Sequence, residues 1–272
     1  MKRIVLLLLL LIVLFSGCTK KDALVFVIIP SEDAAMARDQ WSSMIEYLSD
    51  GMGQEIDLLV ASDYTAVAEA MRYGHADIAR FSPAGYVMAV EEGADIEPLV
   101  VAIKKETGLP GYYALLVALA DTDTSDLNAL TFGFVDVGST SGYVAPSIYL
   151  QDAGITLKNE MFAGSHNAAI LAVKNGSVDV AAVASNRVAT ALAEGVLSEG
   201  EIKTVWQSPL IPNCPIAVQS AMSQRDKDTL TALFLDMPKE IVLAIATNES
   251  GYVKANDATY DPIREIMRYK GE

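Results

Sequence analysis

The chain runs to 272 residues, with 35 acidic against 20 basic side chains and a formal net charge of -15 that grows more negative without Lys2 and Arg3. A surface this acidic repels a phosphate backbone, which excludes nucleic acid as a partner. A small anion in an enclosed site is not excluded, because surface charge is screened over a Debye length of about 8 Å.

In chain order, Lys2 and Arg3 precede an uninterrupted apolar run from Ile4 to Phe15 and then "FSGC", ending at Cys18. The run is shorter than the roughly 20 residues that span a bilayer and has the length of a signal-peptide core. Small residues directly before a cysteine resemble the lipobox of bacterial lipoproteins. That resemblance implies removal of residues 1–17, diacylation of Cys18 and a short tether over residues 18–22. The protein is then expected outside the cytoplasm, anchored in the periplasm or on the outer face of the cytoplasmic membrane. With Cys18 lipidated, Cys214 stands alone, so neither an internal disulfide nor a paired-cysteine metal site is available. Two histidines, His75 and His166, argue against a multi-histidine zinc centre, and no metal or cofactor is expected.

Beyond the tether, β-rich apolar runs lie at Ala23–Ile29, Ile56–Val60, Leu99–Ile103, Tyr113–Leu119, Thr131–Val135, Val178–Val183 and Thr204–Trp206. Helical spacing falls between them, at Ala34–Ser49, Tyr64–Tyr73, Ser82–Glu91, Val144–Ala153, Asn167–Asn175, Asn186–Glu194, Lys227–Thr247 and Pro262–Tyr269. The alternation predicts an α/β protein with largely parallel sheets and crossover helices. No long linker divides it, but two lobes need only two short crossings. Leu115–Asp123 reads as the outward crossing and Ser208–Val218, with three prolines, as the return. This places one lobe at residues 23–115 plus 216–272 and the other at 116–215.

The stretch "DVGSTSGYVAPSIYL", residues 136–150, sets Ser139, Thr140 and Ser141 at a strand-to-helix corner between two glycines. A helix start offers unpaired N–H groups and roughly half a unit of positive charge. With hydroxyls added, several donors converge on one point, which suits an oxyanion without any lysine or arginine. Four or five charge-assisted hydrogen bonds of about 1.5–3 kcal/mol each, less the cost of immobilisation, reach micromolar affinity. Elsewhere, Ser165 reads as an N-cap that sets His166 at a helix start, where the dipole lowers its pKa and makes it a neutral donor. Tyr64 opens another helix and Ser82 stands at a second strand-to-helix corner.

Four blocks taken together resemble the substrate-binding lipoproteins of phosphate/phosphite/phosphonate ABC uptake systems: "DYTAVAEAMRYGHADIA" from Asp63, "GSTSGYVAP" from Gly138, "GSHNAAILAVKNGSVD" from Gly164 and "VWQSPLIP" from Val205. The resemblance runs through most of the chain beyond the tether. It implies a type 2 periplasmic-binding-protein fold, two lobes closing on a ligand about two hinge crossings. It further implies that Ser139, Thr140, Ser141 and His166 hold a phosphorus oxyanion from one lobe. Tyr64 and Tyr112 (Tyr113 if the alignment slips by one) close from the other, with Ser82 beside them.

The pattern breaks where relatives that bind aminoalkylphosphonates place two carboxylates around the ligand's ammonium. Where they carry "IPxDP" this chain has "IPNCP", so Cys214 stands at one position with Asn213 before it, and no acid lies near Ala189 at the other. A buried ammonium without a partner costs several kcal/mol, so phosphite, methylphosphonate or phosphate is expected in preference to 2-aminoethylphosphonate. Arg187 and Asn213 are further candidates for ligand contact, and Arg80 reads either as a cleft residue or as a solvated one. The expectation is a monomeric, non-enzymatic receptor that delivers its anion to an ABC permease. The alternatives are a sensory receptor read by a membrane kinase, or an enzyme using the Cys214 thiol, for which no adjacent base is evident.

Overall fold

Two sheets carry the fold in a computed structural model that describes residues 23–29, 34–105 and 107–268. The leader, Cys18 and the tether lie outside the described residues. The first sheet has six strands, β1 (Leu24–Ile28), β2 (Ile56–Val60), β3 (Ile78–Arg80), β4 (Ile96–Lys104), β12 (Pro215–Gln219) and β13 (Glu249–Lys254), in the order β13–β4–β12–β3–β1–β2. The second has five, β6 (Ala114–Leu119), β7 (Thr131–Phe134), β8 (Asn159–Phe162), β9 (Val180–Ala184) and β10 (Ile202–Gln207), in the order β10–β6–β9–β7–β8. Between the sheets, β5 (Gly111–Tyr112) and β11 (Ile211–Pro212) pair antiparallel, Ile211 opposite Tyr112. That short ribbon carries both crossings. The outward crossing thus comes before the stretch expected for it, since Ala114–Leu119 is already a strand of the second sheet.

The helices are α1 (Ala34–Met52), α2 (Tyr64–Arg72), α3 (Pro83–Glu91), α4 (Ala145–Asp152), α5 (His166–Lys174), α6 (Ser185–Ala193), α7 (Gln224–Leu235), α8 (Lys239–Ile245) and α9 (Asp261–Arg268). Local patterns explain many of them. In α1, Ala37, Trp41, Met44 and Leu48 recur at helical spacing and are all buried, forming a stripe toward the sheet, where Trp41 meets Phe26 edge-on at 5.6 Å. Strand β9, "VAAVA", is buried at every position, as a central strand covered on both faces must be. Among the described residues no helix is long and apolar enough to cross a membrane.

Two expectations are corrected. The sheets are mixed rather than largely parallel: β1 runs parallel to β2 and β3, and β7 to β8 and β9, but β12, β13, β6 and β10 pair antiparallel. Strands β6 and β12 follow directly on the hinge and enter each sheet without a crossover helix, which leaves the antiparallel direction open to them. The predicted helix over Lys227–Thr247 is two helices, α7 and α8, separated by Asp236–Pro238. Pro238 disfavours helical geometry at Met237, and the chain turns there. The terminal helix α9 packs on α3 of one lobe, α4 of the other and the hinge strand β11, so it straddles the crossing.

Candidate functional site

Strand-to-helix breaks gather around one point, after β2 at Tyr64, after β3 at Ser82, after β7 at Ser139, after β8 at His166 and after β9 at Ala184, with Ile29 at the end of β1 beside them. Carboxyl ends of strands are where open α/β sheets bind ligands. Here the ends from both lobes face each other around a cavity of about 40 Å³.

The β7 corner is built for donation. Ser139 is extended and its hydroxyl accepts from the Gly142 N–H at 3.1 Å, while the turn over Thr140–Val144 leaves the Thr140 and Ser141 N–H groups without a protein acceptor among the described residues. Gly142 is required: a Cβ there would meet Val135 Cγ2 at 2.4 Å. The Thr140 hydroxyl accepts from the Ala84 N–H of α3 at 2.8 Å, which frees its own O–H to donate. Ser139, Thr140 and Ser141 are buried.

Across the cleft, the Tyr64 phenol lies beside Ser139 and the Tyr112 phenol beside Ser141, all four lining the cavity. Burial raises both phenols, Tyr64 to about 12, with Tyr112 also pushed above its usual value. Both keep their protons at neutral pH and remain donors. Tyr113, the alternative to Tyr112, does not line the cavity. Ser82 lines it, but its hydroxyl is already engaged, accepting from Gly85 N–H at 3.0 Å and donating to the Gly138 carbonyl at 2.6 Å. With Ala84–Thr140, that bond ties the start of α3 in one lobe to the corner in the other. Gly138 fits only because it lacks a side chain, since a Cβ would lie 2.8 Å from Tyr64 Cβ.

Ser165 caps α5 as expected, accepting from Ala168 N–H at 3.1 Å. His166 Nδ1 accepts from Ala184 N–H at 3.3 Å, which places the imidazole proton on Nε2. Its pKa is lowered to about 3 by burial and then by the Arg187 charge. The neutral form was expected, but from the helix dipole; burial and a neighbouring cation are the causes.

The lining is not wholly neutral. Arg80, Lys104 and Arg187 also face the cavity. Glu249, 1 % exposed, takes Lys104 Nζ at 2.6 Å and Arg80 at 3.7 Å. Burial would raise this carboxyl, but the two cations outweigh it and hold it below the usual carboxylate range. Arg80 also lies over the Trp41 ring at 5.7 Å. Lys104 and Glu249 carried no local sequence signal; they end β4 and start β13 and meet because those strands pair with Glu249 opposite Lys104.

Cys214 and Asn213 line the cavity. The Asn213 amide is used internally, donating to the Ala102 carbonyl at 3.0 Å and accepting from Cys214 N–H at 2.9 Å. Tyr64, Ser82, Tyr112, Ser139, Thr140, Ser141, His166, Arg187, Asn213 and Cys214, far apart in sequence, thus share one cavity.

A small donor-lined cavity between two α/β lobes, at the carboxyl ends of their strands and beside paired hinge strands, defines a periplasmic binding protein. More specifically, the chain belongs to the ABC transporter phosphonate periplasmic substrate-binding protein family, whose profile it matches over residues 26–260. It is 30% identical to the phosphate-import protein PhnD of Mycolicibacterium smegmatis, over 92% of this chain and 86% of the relative. A solved binding-protein component of an ABC phosphonate transporter from Pseudomonas aeruginosa superimposes with a TM-score of 0.81 at 26% identity, covering 92% of this chain and 86% of that one. PhnD1 of Prochlorococcus marinus, solved in complex with methylphosphonate, superimposes with a TM-score of 0.78 at 20% identity, covering 92% and 98%. The chain is thus a substrate-binding component of an ABC transporter, acting outside the cytoplasm with a membrane permease as partner.

Proposed function

We propose that the 40 Å³ cavity receives a small phosphorus oxyanion, phosphite, methylphosphonate or phosphate, and that the closed protein hands it to the permease. The observation that carries this is the convergence of the free Thr140 and Ser141 N–H groups, the Thr140 hydroxyl and the neutral His166 on one cavity. Donors fixed by the backbone need no reorganisation when the anion arrives, which lowers the cost of binding. Tyr64 and Tyr112 add donors from the opposite lobe, so the ligand itself links the lobes.

Selectivity follows from the missing acceptors. No acid lines this cavity among the described residues, and Glu249, which pairs with two of its lining cations, is held by Lys104 and Arg80. An ammonium tail therefore meets cations, and 2-aminoethylphosphonate is the poor ligand. Cys214, where an acid would receive that ammonium, offers only a weakly polar thiol. It suits the P–H of phosphite or the methyl of methylphosphonate better than the P–OH of phosphate. Outside the described residues, Cys18 carries the lipid anchor, and the protein works as a monomer.

Titration calorimetry on the chain from residue 19 tests the reading. Phosphite or methylphosphonate binds at micromolar concentration or tighter, and 2-aminoethylphosphonate binds more weakly. Submicromolar binding of 2-aminoethylphosphonate overturns the selectivity argument, and no response to any phosphorus oxyanion overturns the site.

A further inference from the structure

The cavity has a second room. Beside the inner space lies an outer chamber of about 100 Å³, and the two share Arg80, Lys104, Asn186 and Arg187 as a common wall. A water needs about 10–15 Å³ of such space, so the outer chamber admits several heavy atoms beyond a headgroup seated at the β7 corner. It lies between α1, the start of α6 and the segment from α8 to Glu249.

The charges around it differ in whether they are satisfied. Arg80 and Lys104 share Glu249. Among the described residues Arg187 has no ion-pair partner, although it lines both rooms. The acid left on the outer wall is Glu194, exposed at the end of α6. It stands seven residues from Arg187, about 10 Å along the helix axis, and marks the mouth rather than a partner. The remaining polar side chains are the amides of Gln40, Asn186 and Asn248 and the hydroxyls of Thr190 and Thr247.

We propose that the outer chamber is a tail subsite, and that Arg187 selects phosphonates bearing a distal carboxylate on a short carbon chain. The proposal rests on the inner cavity being the headgroup site. A guanidinium meets a carboxylate through two parallel N–H donors, a geometry that an ammonium or methyl tail cannot use.

Calorimetry on the same protein, with methylphosphonate, phosphonoacetate, 3-phosphonopropionate and 2-aminoethylphosphonate as probes, decides it. At least one carboxylated compound binds about tenfold tighter than methylphosphonate, and Arg187→Gln brings that ratio to about one. Arg187→Lys, which keeps the charge without the fork, retains part of the ratio and shows that loss in the glutamine variant is not loss of fold. Two results overturn the tail subsite while leaving the headgroup reading intact: carboxylated compounds no tighter than methylphosphonate, or Arg187→Gln weakening all compounds by one factor. Failure of methylphosphonate and every other probe to bind instead removes the headgroup reading, and the tail subsite with it.

Discussion

The two walls of the cleft are made differently. On the β7 side the groups that face the cavity are mostly neutral dipoles, Ser139, Thr140, Ser141 and a neutral His166, with Arg187 the one charge among them. Opposite stand the phenols of Tyr64 and Tyr112 backed by a buried charge cluster, Arg80 and Lys104 on Glu249. Part of the neutral wall is preorganised by a local turn, in which Ser139 accepts from Gly142 N–H, while the Thr140 hydroxyl and His166 take support from the more distant Ala84 and Ala184 N–H groups. Opposite charges buried together must come from separate strands, so that wall depends on sheet pairing. One wall draws in part on local turns, and the other depends wholly on tertiary pairing.

The comparison can be broken at several points. The largest effect is expected at the charged wall. Glu249→Gln leaves Arg80 and Lys104 buried with one neutral partner, and removing one member of such a cluster costs about 3–5 kcal/mol. Chemical denaturation should read that loss, and a loss under about 1 kcal/mol would show the cluster to be solvated.

The neutral wall is tested next through closure. Gly138→Ala places a methyl 2.8 Å from Tyr64 Cβ, so the lobes cannot meet as they do here. Methylphosphonate affinity should fall at least about tenfold, as expected when the competent state is depopulated. Thermal unfolding of the unliganded protein should barely change, and a large drop in both would place the damage in the corner itself.

Smaller is Ser82→Ala, which removes the α3 cap and the bond to Gly138. A lost cap costs about 0.5–2 kcal/mol, and here calorimetry should assign part of that cost to binding. Equal losses of stability with and without ligand would mean the cross-lobe bond contributes nothing to closure.

The finest effect is a slope. His166 titrates near 6.5 when unfolded and about 3 when folded. Between those values the unfolded chain binds the proton first, so stability from this group is intact above about pH 6.5 and declines as pH falls. His166→Gln lacks that titration, so wild-type stability should decline relative to the variant over this window. Parallel curves would contradict a buried neutral imidazole.

Much of the site was legible in the residues. Hydroxyls between glycines after an apolar run mark a donor-rich corner, and Ser165 before His166 marks a capped helix start, because both depend on chain neighbours. The same locality explains the correctly placed helices α1 to α6. The break at Pro238 was legible too, but helical spacing on both sides masked it. Strands β3, β5, β8, β11, β12 and β13 were not read: β3, β5 and β11 are short, β8 and β13 lie at sheet edges, and β12 falls inside the proline-rich stretch expected as the return crossing.

By itself, then, the order of residues determined the donor corners, the separate strands and helices and the family, since these rest on short-range geometry and contiguous motifs. Tertiary structure alone decided that Lys104 and Glu249 meet 145 positions apart, that Ser82 grips Gly138 across the cleft, and that an outer chamber adjoins the inner one. Those outcomes depend on strand direction and lobe approach, which arise from burying two sheets and their covering helices together. No window of neighbouring residues contains that information.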